Sequence, residues 1–306
     1  MLLCPKTASR LHRSFSPLKA TLICPTFRLT VTSPSTISLS PCASARPLRG
    51  GAAALPIRAF SAAAGDPPPS AAAAAAAEMA AITAVEHVVL FKVRDGTDTA
   101  KISAMISNLR SLVSLDGVLL LSAAHVLRHR SSAASSFGFT HLLHSRYRTK
   151  EELAAYSAHP AHISVVREFV LPICEDIMAV DWIAEFESDS VALPPGSAAR
   201  VTLMKLIESA GEAEKGVVLE SLHGAKRLLG GAVEQLSYGE NFSPARAKGF
   251  SVGSIAVFPG VEELDEVDEK GVDLMEAQKE KVRPLLESLI VLDFLVPPPL
   301  PATSGL

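Results

Sequence analysis

The stretch 83–297 predicts an α+β fold made of two ferredoxin-like repeats, each β-α-β-β-α-β. Three observations carry this. Strand-like and helix-like periodicities follow one another in that order through residues 83–187. The same anchors return about 112 residues further on. A segment containing Pro194-Pro195-Gly196 separates the two copies.

In the first copy, Val85–Val93 reads as a strand, with Val85, His87, Val89 and Phe91 on one face and Val88 and Leu90 on the other. Both faces are apolar, so the sheet is expected to be covered on both sides. A helix follows, with Ile102, Met105, Ile106, Leu109 and Val113 on its stripe. Asp116-Gly117 turns into a second strand, Val118 to Leu127. Arg128–Ser136 reads as a polar hairpin loop, and Phe137–Tyr147 as the third strand. Thr149-x-x-Glu152 is a capping box that opens a short helix to about Ser157. Pro160 suits the first position of a further helix, Ala161 to Cys174, because it lacks an N–H and its φ is preset. The residue before a proline is pushed out of the α region, which makes His159 the N-cap. Ile177–Phe186 is the fourth strand.

The second copy repeats the anchors in order. Phe91-Lys92-Val93 matches Met204-Lys205-Leu206, and Gly138-Phe139-Thr140 matches Gly249-Phe250-Ser251. Val170-Leu171-Pro172-Ile173 matches Val282-Arg283-Pro284-Leu285, and Val180-Asp181-Trp182 matches Leu292-Asp293-Phe294. The domain reading is therefore 83–187 for the first repeat, a linker at 188–198, 199–297 for the second and a Pro-rich tail at 298–306. Extended at ~3.3 Å per residue, the linker can lay one repeat's sheet against the other's.

Residues 1–65 carry Lys and Arg but no Asp or Glu, and are rich in Ser, Thr, Ala and Pro. That is the composition of an organellar transit peptide. Residues 66–82, with Ala71–Ala77, read as a low-complexity linker too short and too weakly apolar to span a bilayer. The expected destination is the plastid. Ser304-Gly305-Leu306 offers a competing peroxisomal address. The chain is −3 overall, so the body beyond that basic segment is acidic, which argues against a nucleic-acid partner. Cys174 is the one cysteine of the body and can make neither an internal disulfide nor a cysteine metal cage. No glycine loop suited to phosphates is present; Gly230-Gly231 reads as a turn. The reading calls for no cofactor, no metal and no membrane.

The chemistry-bearing stretch is Tyr156-Ser-Ala-His-Pro-Ala-His162. His162 shares a helical stripe with Val165, Val166, Phe169, Val170 and Ile173, so it lies near core and near a helix N-terminus. Both effects disfavour a second proton. That setting suits a proton-transfer imidazole and equally a buried structural one. His87 and His141 sit within strands of the same repeat, whereas His125, His129 and His144 read as solvated residues in or beside the hairpin. The second repeat has Arg200, Val252, Asp268 and Leu274 in place of His87, His141, Tyr156 and His162. The fold thus does not need these groups, and buried polar groups require a reason. The acidic run Glu262–Glu269 reads as a solvated helix face.

The His87 strand, Gly138-Phe139-Thr140-His141, Tyr156…His159-Pro160-Ala161-His162 and Val180-Asp181-Trp182 together resemble the stress-response A/B barrel (Dabb) family. That resemblance implies a dimeric α+β barrel, formed either by the two repeats of one chain as a pseudo-dimer or by a homodimer. It also implies a small hydrophobic or polyketide-like ligand. One family member, olivetolic acid cyclase, performs an intramolecular aldol condensation without cofactor. By resemblance to it, His162 would be the general base and Tyr156 would steady the oxyanion, while His87, His141 and His159 would contact the ligand.

Overall fold

The computed structural model of the chain describes residues 82–186, 191–270 and 272–298. The transit-peptide segment, nearly all of the Ala/Pro linker, and Ser304-Gly305-Leu306 lie outside the described residues. Both repeats fall within one compact unit. Their elements run β1 Ile82–Val93, α1 Thr99–Ser111, β2 Val118–His129, α2 Ser132–Phe137, β3 His141–Tyr147, α3 Lys150–Ala158, α4 Pro160–Val165 and β4 Cys174–Phe186. The second repeat follows as β5 Ala198–Leu206, α5 Glu212–Leu229, β6 Gln235–Glu240, β7 Val252–Phe258, α6 Val261–Lys270, α7 Val272–Val282 and β8 Leu286–Leu295.

The eight strands form one antiparallel sheet in the order β4-β1-β3-β2-β8-β5-β7-β6. The junction between repeats is the β2–β8 ladder, with Val126 opposite Phe294 and His129 opposite Leu292. At the other seam the end of β6 meets β4: the Phe242 N–H donates to the Asp181 carbonyl at 2.9 Å. The sheet is thus a nearly closed barrel, and the chain builds it from its own two copies. Inward-facing side chains of both repeats, including Val88, Leu90, Leu142, Val180 and Trp182 with Val201, Leu203, Ile255, Leu292 and Phe294, make one core. The outer face of the first half packs under α1, α3 and α4, with Val85, Phe91, Met105, Leu109, Leu153 and Val170 among its buried residues. As predicted, each sheet half is covered on both sides.

Several boundaries differ from the expectation, each for a local reason. The stretch read as a hairpin loop holds the end of β2 and the short helix α2. Ser131 Oγ accepts from the Ala134 N–H at 3.2 Å and donates to the Leu289 carbonyl at 2.6 Å. Capped this way and tied to β8, a run of small residues completes a helix that Gly138 ends at φ +67°. That helix delays β3 until His141. The helix expected to reach Cys174 stops early. α4 gives way to a wider, π-type turn over Val166–Val170, and Pro172 precedes β4, which Cys174 opens. Val113 falls beyond α1 and is exposed. β5 begins at Ala198, inside the expected linker, where Leu193 and Ser197 are buried. Among the described residues no helix is long and apolar enough to cross a membrane.

Candidate functional site

The first-repeat site grows from β1 and β4. His87 stands opposite Asp181 in the β1–β4 ladder, and its side chain points to the helix-covered face. The His87 Nδ1–H donates to Asp181 Oδ1 at 2.5 Å, both groups being buried. Burial pushes the Asp181 carboxyl up, but the His87 bond and charge, with Arg246 nearby, hold it below the usual carboxylate range. The Arg246 Nη2 donates to Asp181 Oδ2 at 3.1 Å, and the Asp181 N–H donates to Asn241 Oδ1 at 3.1 Å. Those two residues follow β6, so the second repeat completes the first repeat's dyad.

Three more rings close over His87. Tyr147 and Tyr156 lie edge-on to it with centroids at 6.4 and 6.5 Å, and Tyr156 and His162 are 4.6 Å apart. Tyr156 reaches this place because Thr149 caps α3, accepting from the Glu152 N–H at 3.2 Å, and the last turn of α3 faces the sheet. His162 is carried in by α4. Its Nδ1–H donates to the Ser157 carbonyl at 3.1 Å. A carbonyl cannot donate, so the neutral His162 presents a basic Nε2. Burial lowers the His162 pKa despite that bond, and burial raises both phenols, so near neutrality the site holds an unprotonated imidazole beside protonated tyrosines. Tyr147 is 0%, Tyr156 2% and His87 3% exposed, so the rings themselves occupy the space between sheet and helices; His162 is the half-buried member.

The histidines named from sequence do not form one cluster. His141 lies opposite Phe91 while His87 lies opposite Ser145, about 13 Å along the strand at ~3.3 Å per residue. It pairs instead with His125, ring centroids 5.0 Å apart, in a groove with Ile102 and Ser103 of α1. Burial and His125 depress its pKa to about 4. His159 is exposed and serves as the N-cap of α4, accepting from the Ala161 N–H at 3.2 Å.

The reading of His144 as a solvated residue is wrong. His144 is fully buried and points into the barrel, where its Nε2–H donates to Glu86 Oε2 at 2.5 Å. The Arg146 Nε lies 3.0 Å from Glu86 Oε1, and the Ser237 hydroxyl donates to the same oxygen at 2.6 Å. Burial alone would raise Glu86, yet Arg146 and His144 bring it down to about 2; burial keeps His144 neutral. The signal was available. Glu86 and Arg146 are charges inside two apolar strands that the ferredoxin-like order makes neighbours, and buried charges need partners. Among the described residues no three His, Cys, Asp or Glu side chains are grouped to hold a metal ion.

In the second repeat the same position is an ion network. Arg200, the counterpart of His87, lies opposite Asp293 in the β5–β8 ladder. It donates from Nε to Asp293 at 2.7 Å and from Nη1 to Asp268 at 2.6 Å. Arg130, just after β2, pairs with Asp268, and Arg128, near the end of β2, with Asp265. The acidic run on α6 is therefore only partly a solvated face.

Comparison with known proteins agrees with this architecture. The chain is 49% identical over 213 residues to a stress-response A/B barrel domain-containing protein of Arabidopsis thaliana, covering 70% of this chain and 79% of that one. It is 45% identical over 214 residues to a second such protein of the same plant, covering 70% and 97%. A putative monooxygenase structure from Fusobacterium nucleatum superposes with a TM-score of 0.51 at 12% identity, covering 71% of this chain and 93% of that one; it shows the fold alone. The model of the stress responsive A/B barrel domain matches twice, at residues 85–184 and 198–296. With both copies matched and joined into one barrel, the chain belongs to the stress-responsive A/B barrel domain family.

Proposed function

We propose that this protein is an organellar stress-response barrel that binds a small, mostly apolar ligand at the first-repeat cluster of His87, Tyr156 and His162. The supporting observation is the contrast between the copies. The fold accepts an arginine–carboxylate network at this position, whereas the first repeat keeps a basic Nε2 on His162 beside the Tyr156 phenol. A ligand reaching this cluster meets half-buried His162 first and finds an acceptor there and the Tyr156 hydroxyl behind it. His141 and His159, being elsewhere, would contact only a ligand that extends along β3 or over the α3–α4 joint. Native mass spectrometry of the purified chain reads out any co-purified small molecule together with chain number, and so also tests self-association into a homodimer. Loss of that molecule in His162→Ala is the expected outcome; equal retention in His162→Ala and Tyr156→Phe removes the cluster from the account.

A second reading, cofactor-free aldol-type cyclisation of a polyketide-like carbonyl compound, is favoured by the protonation states. His162 Nε2 would take a proton from a carbon between two carbonyls. The resulting enolate carbon would form the new C–C bond, and the proton would return to the alkoxide held by the Tyr156 hydroxyl. Turnover lost in Tyr156→Phe with binding retained selects this reading over simple binding. Plastid targeting rests on the acid-free 1–65 segment. Deleting it is expected to strand a fluorescent fusion in the cytosol, while masking Ser304-Gly305-Leu306 leaves location unchanged; the reverse pattern selects the peroxisome.

A further inference from the structure

The second repeat holds a cavity of about 180 Å³ between its sheet and its helices. Thr202 and Ser254 stand opposite each other in the β5–β7 ladder and form its floor. Leu222, Val267 and Met275 wall it, and the Arg200–Asp268 pair lies at one end. Alignment of the copies explains the space. Ser254 occupies the place of Leu143, and Asp268 that of Tyr156. In the first repeat both of those larger side chains are buried and fill this layer. Removing a leucine side chain and a tyrosine ring from the layer leaves room for a ligand.

The charges that line the cavity are matched, Lys279 by Glu276 at 4.0 Å and the others among themselves. Arg200 is shared between Asp268 and Asp293, and Arg130 approaches the same two carboxylates. A charged ligand would have to break this network, so the site suits a neutral one. Apolar walls with a few converging polar groups are the usual make-up of a small-molecule site. An apolar cavity of about 150 Å³ accommodates one benzene ring, so the volume here fits a single ring with a small substituent. We propose that the second repeat is a separate binding site for a neutral, single-ring compound bearing one hydroxyl or carbonyl, which would bond to Thr202 or Ser254. This site shares no residue with the first-repeat cluster and stands or falls independently of it.

The test uses the chain with ¹³C-labelled methionine methyls and 4-methylphenol as probe. Met275 reports on the cavity, and Met105, on the buried face of α1 in the first repeat, reports on the other half. The Met275 signal is expected to shift saturably while the Met105 signal stays still. Ser254→Leu, which restores the first repeat's residue, should abolish the shift. The double variant Thr202→Val with Ser254→Ala, which removes both hydroxyls, should weaken 4-methylphenol roughly three- to tenfold, the scale of one neutral hydrogen bond, and leave toluene unaffected. Should Ser254→Leu not fold, Ala225→Leu at the wall serves as the filling variant. A Met275 signal that does not respond overturns the proposal. So does a shift that survives filling, or one matched by Met105.

Discussion

Asp181 and Asp293 occupy the same place in the two repeats, and each is fully buried opposite β1 or β5. The first is met by His87, the second by Arg200. The barrel interior differs in the same sense: Glu86, His144 and Arg146 of the first repeat correspond to Ala199, Ile255 and Val257 of the second. The comparison teaches that the architecture needs a partner for the end-strand aspartate and a filled interior, but not an imidazole, a phenol or a charge. The second repeat spends its polar residues on a closed ion network, while the first keeps groups able to exchange a proton.

The largest expected effect lies in that network. Arg200→Met leaves Asp293 and Asp268 without their main partner, and breaking a buried pair costs about 3–5 kcal/mol. His87→Asn should cost less, about 1–2 kcal/mol, because Asp181 keeps Arg246. Urea unfolding at constant m-value measures both. Equal losses would mean that His87 is merely the first repeat's version of Arg200.

The two seams can be broken separately. Trp182 of β4 packs on Gly253, where an added Cβ would lie 2.6 Å from the indole ring. The counterpart pair is Phe294 and Leu142, both in the shared core. A smaller ring thus goes with a larger neighbour. Gly253→Ala is expected to cost about 1–3 kcal/mol through overpacking. Trp182→Phe, which copies the other seam, should recover part of it in a double-mutant cycle. Additive losses would show that the two positions do not trade volume.

Acid should divide the repeats. His141, His144 and His162 all have folded pKa values below the ordinary histidine value, mainly through burial. Below about pH 6.5 the unfolded chain takes up protons that the folded chain refuses, so stability falls as pH falls, by up to ~1.4 kcal/mol per pH unit for each histidine. For His141 this ends near its folded value of about 4. Asp268 of the second repeat is depressed chiefly by Arg200 against the upward push of burial. Its contribution is present above about pH 3.9 and is lost only as pH falls through the lower folded value. Destabilisation between pH 6.5 and 4 should therefore come from the first repeat. His141→Gln should flatten it; an unchanged slope would remove His141 from the explanation.

Much of this was legible in the sequence because it is periodic. Pro160, His159 and Thr149 announced their own roles through backbone chemistry that does not depend on tertiary context. The duplication supplied a control, and His87, Tyr156 and His162 converge. What periodicity could not show was distance along a strand. His141 shares a face with His87 but stands four residues away from it in the ladder. Nor could it show cross-barrel partners. His144 looks like one more loop-side polar residue until Glu86, diagonally across on the neighbouring strand, is found bonded to it, and Asn241 and Arg246 reach Asp181 only because the two copies close into one barrel.

The smallest expected effect concerns that last contact. Arg246 is 53% exposed on its side chain, so Arg246→Gln should change stability by no more than about 1 kcal/mol. Its consequence should be local instead. Arg246 draws on one oxygen of Asp181 while His87 bonds to the other. With the arginine gone, more of the carboxylate charge falls to His87, Ser243 being the other group on Asp181, and the His87 Nδ1–H proton should move downfield in the NMR spectrum. Arg130 approaches Asp293 in the pseudo-symmetric position at 3.8 Å, but there the carboxylate is already held by Arg200, so Arg130→Gln should leave Asp293 nearly unchanged and lose only the pair with Asp268. A His87 resonance indifferent to Arg246 would mean that the second repeat covers the first-repeat dyad without tuning it.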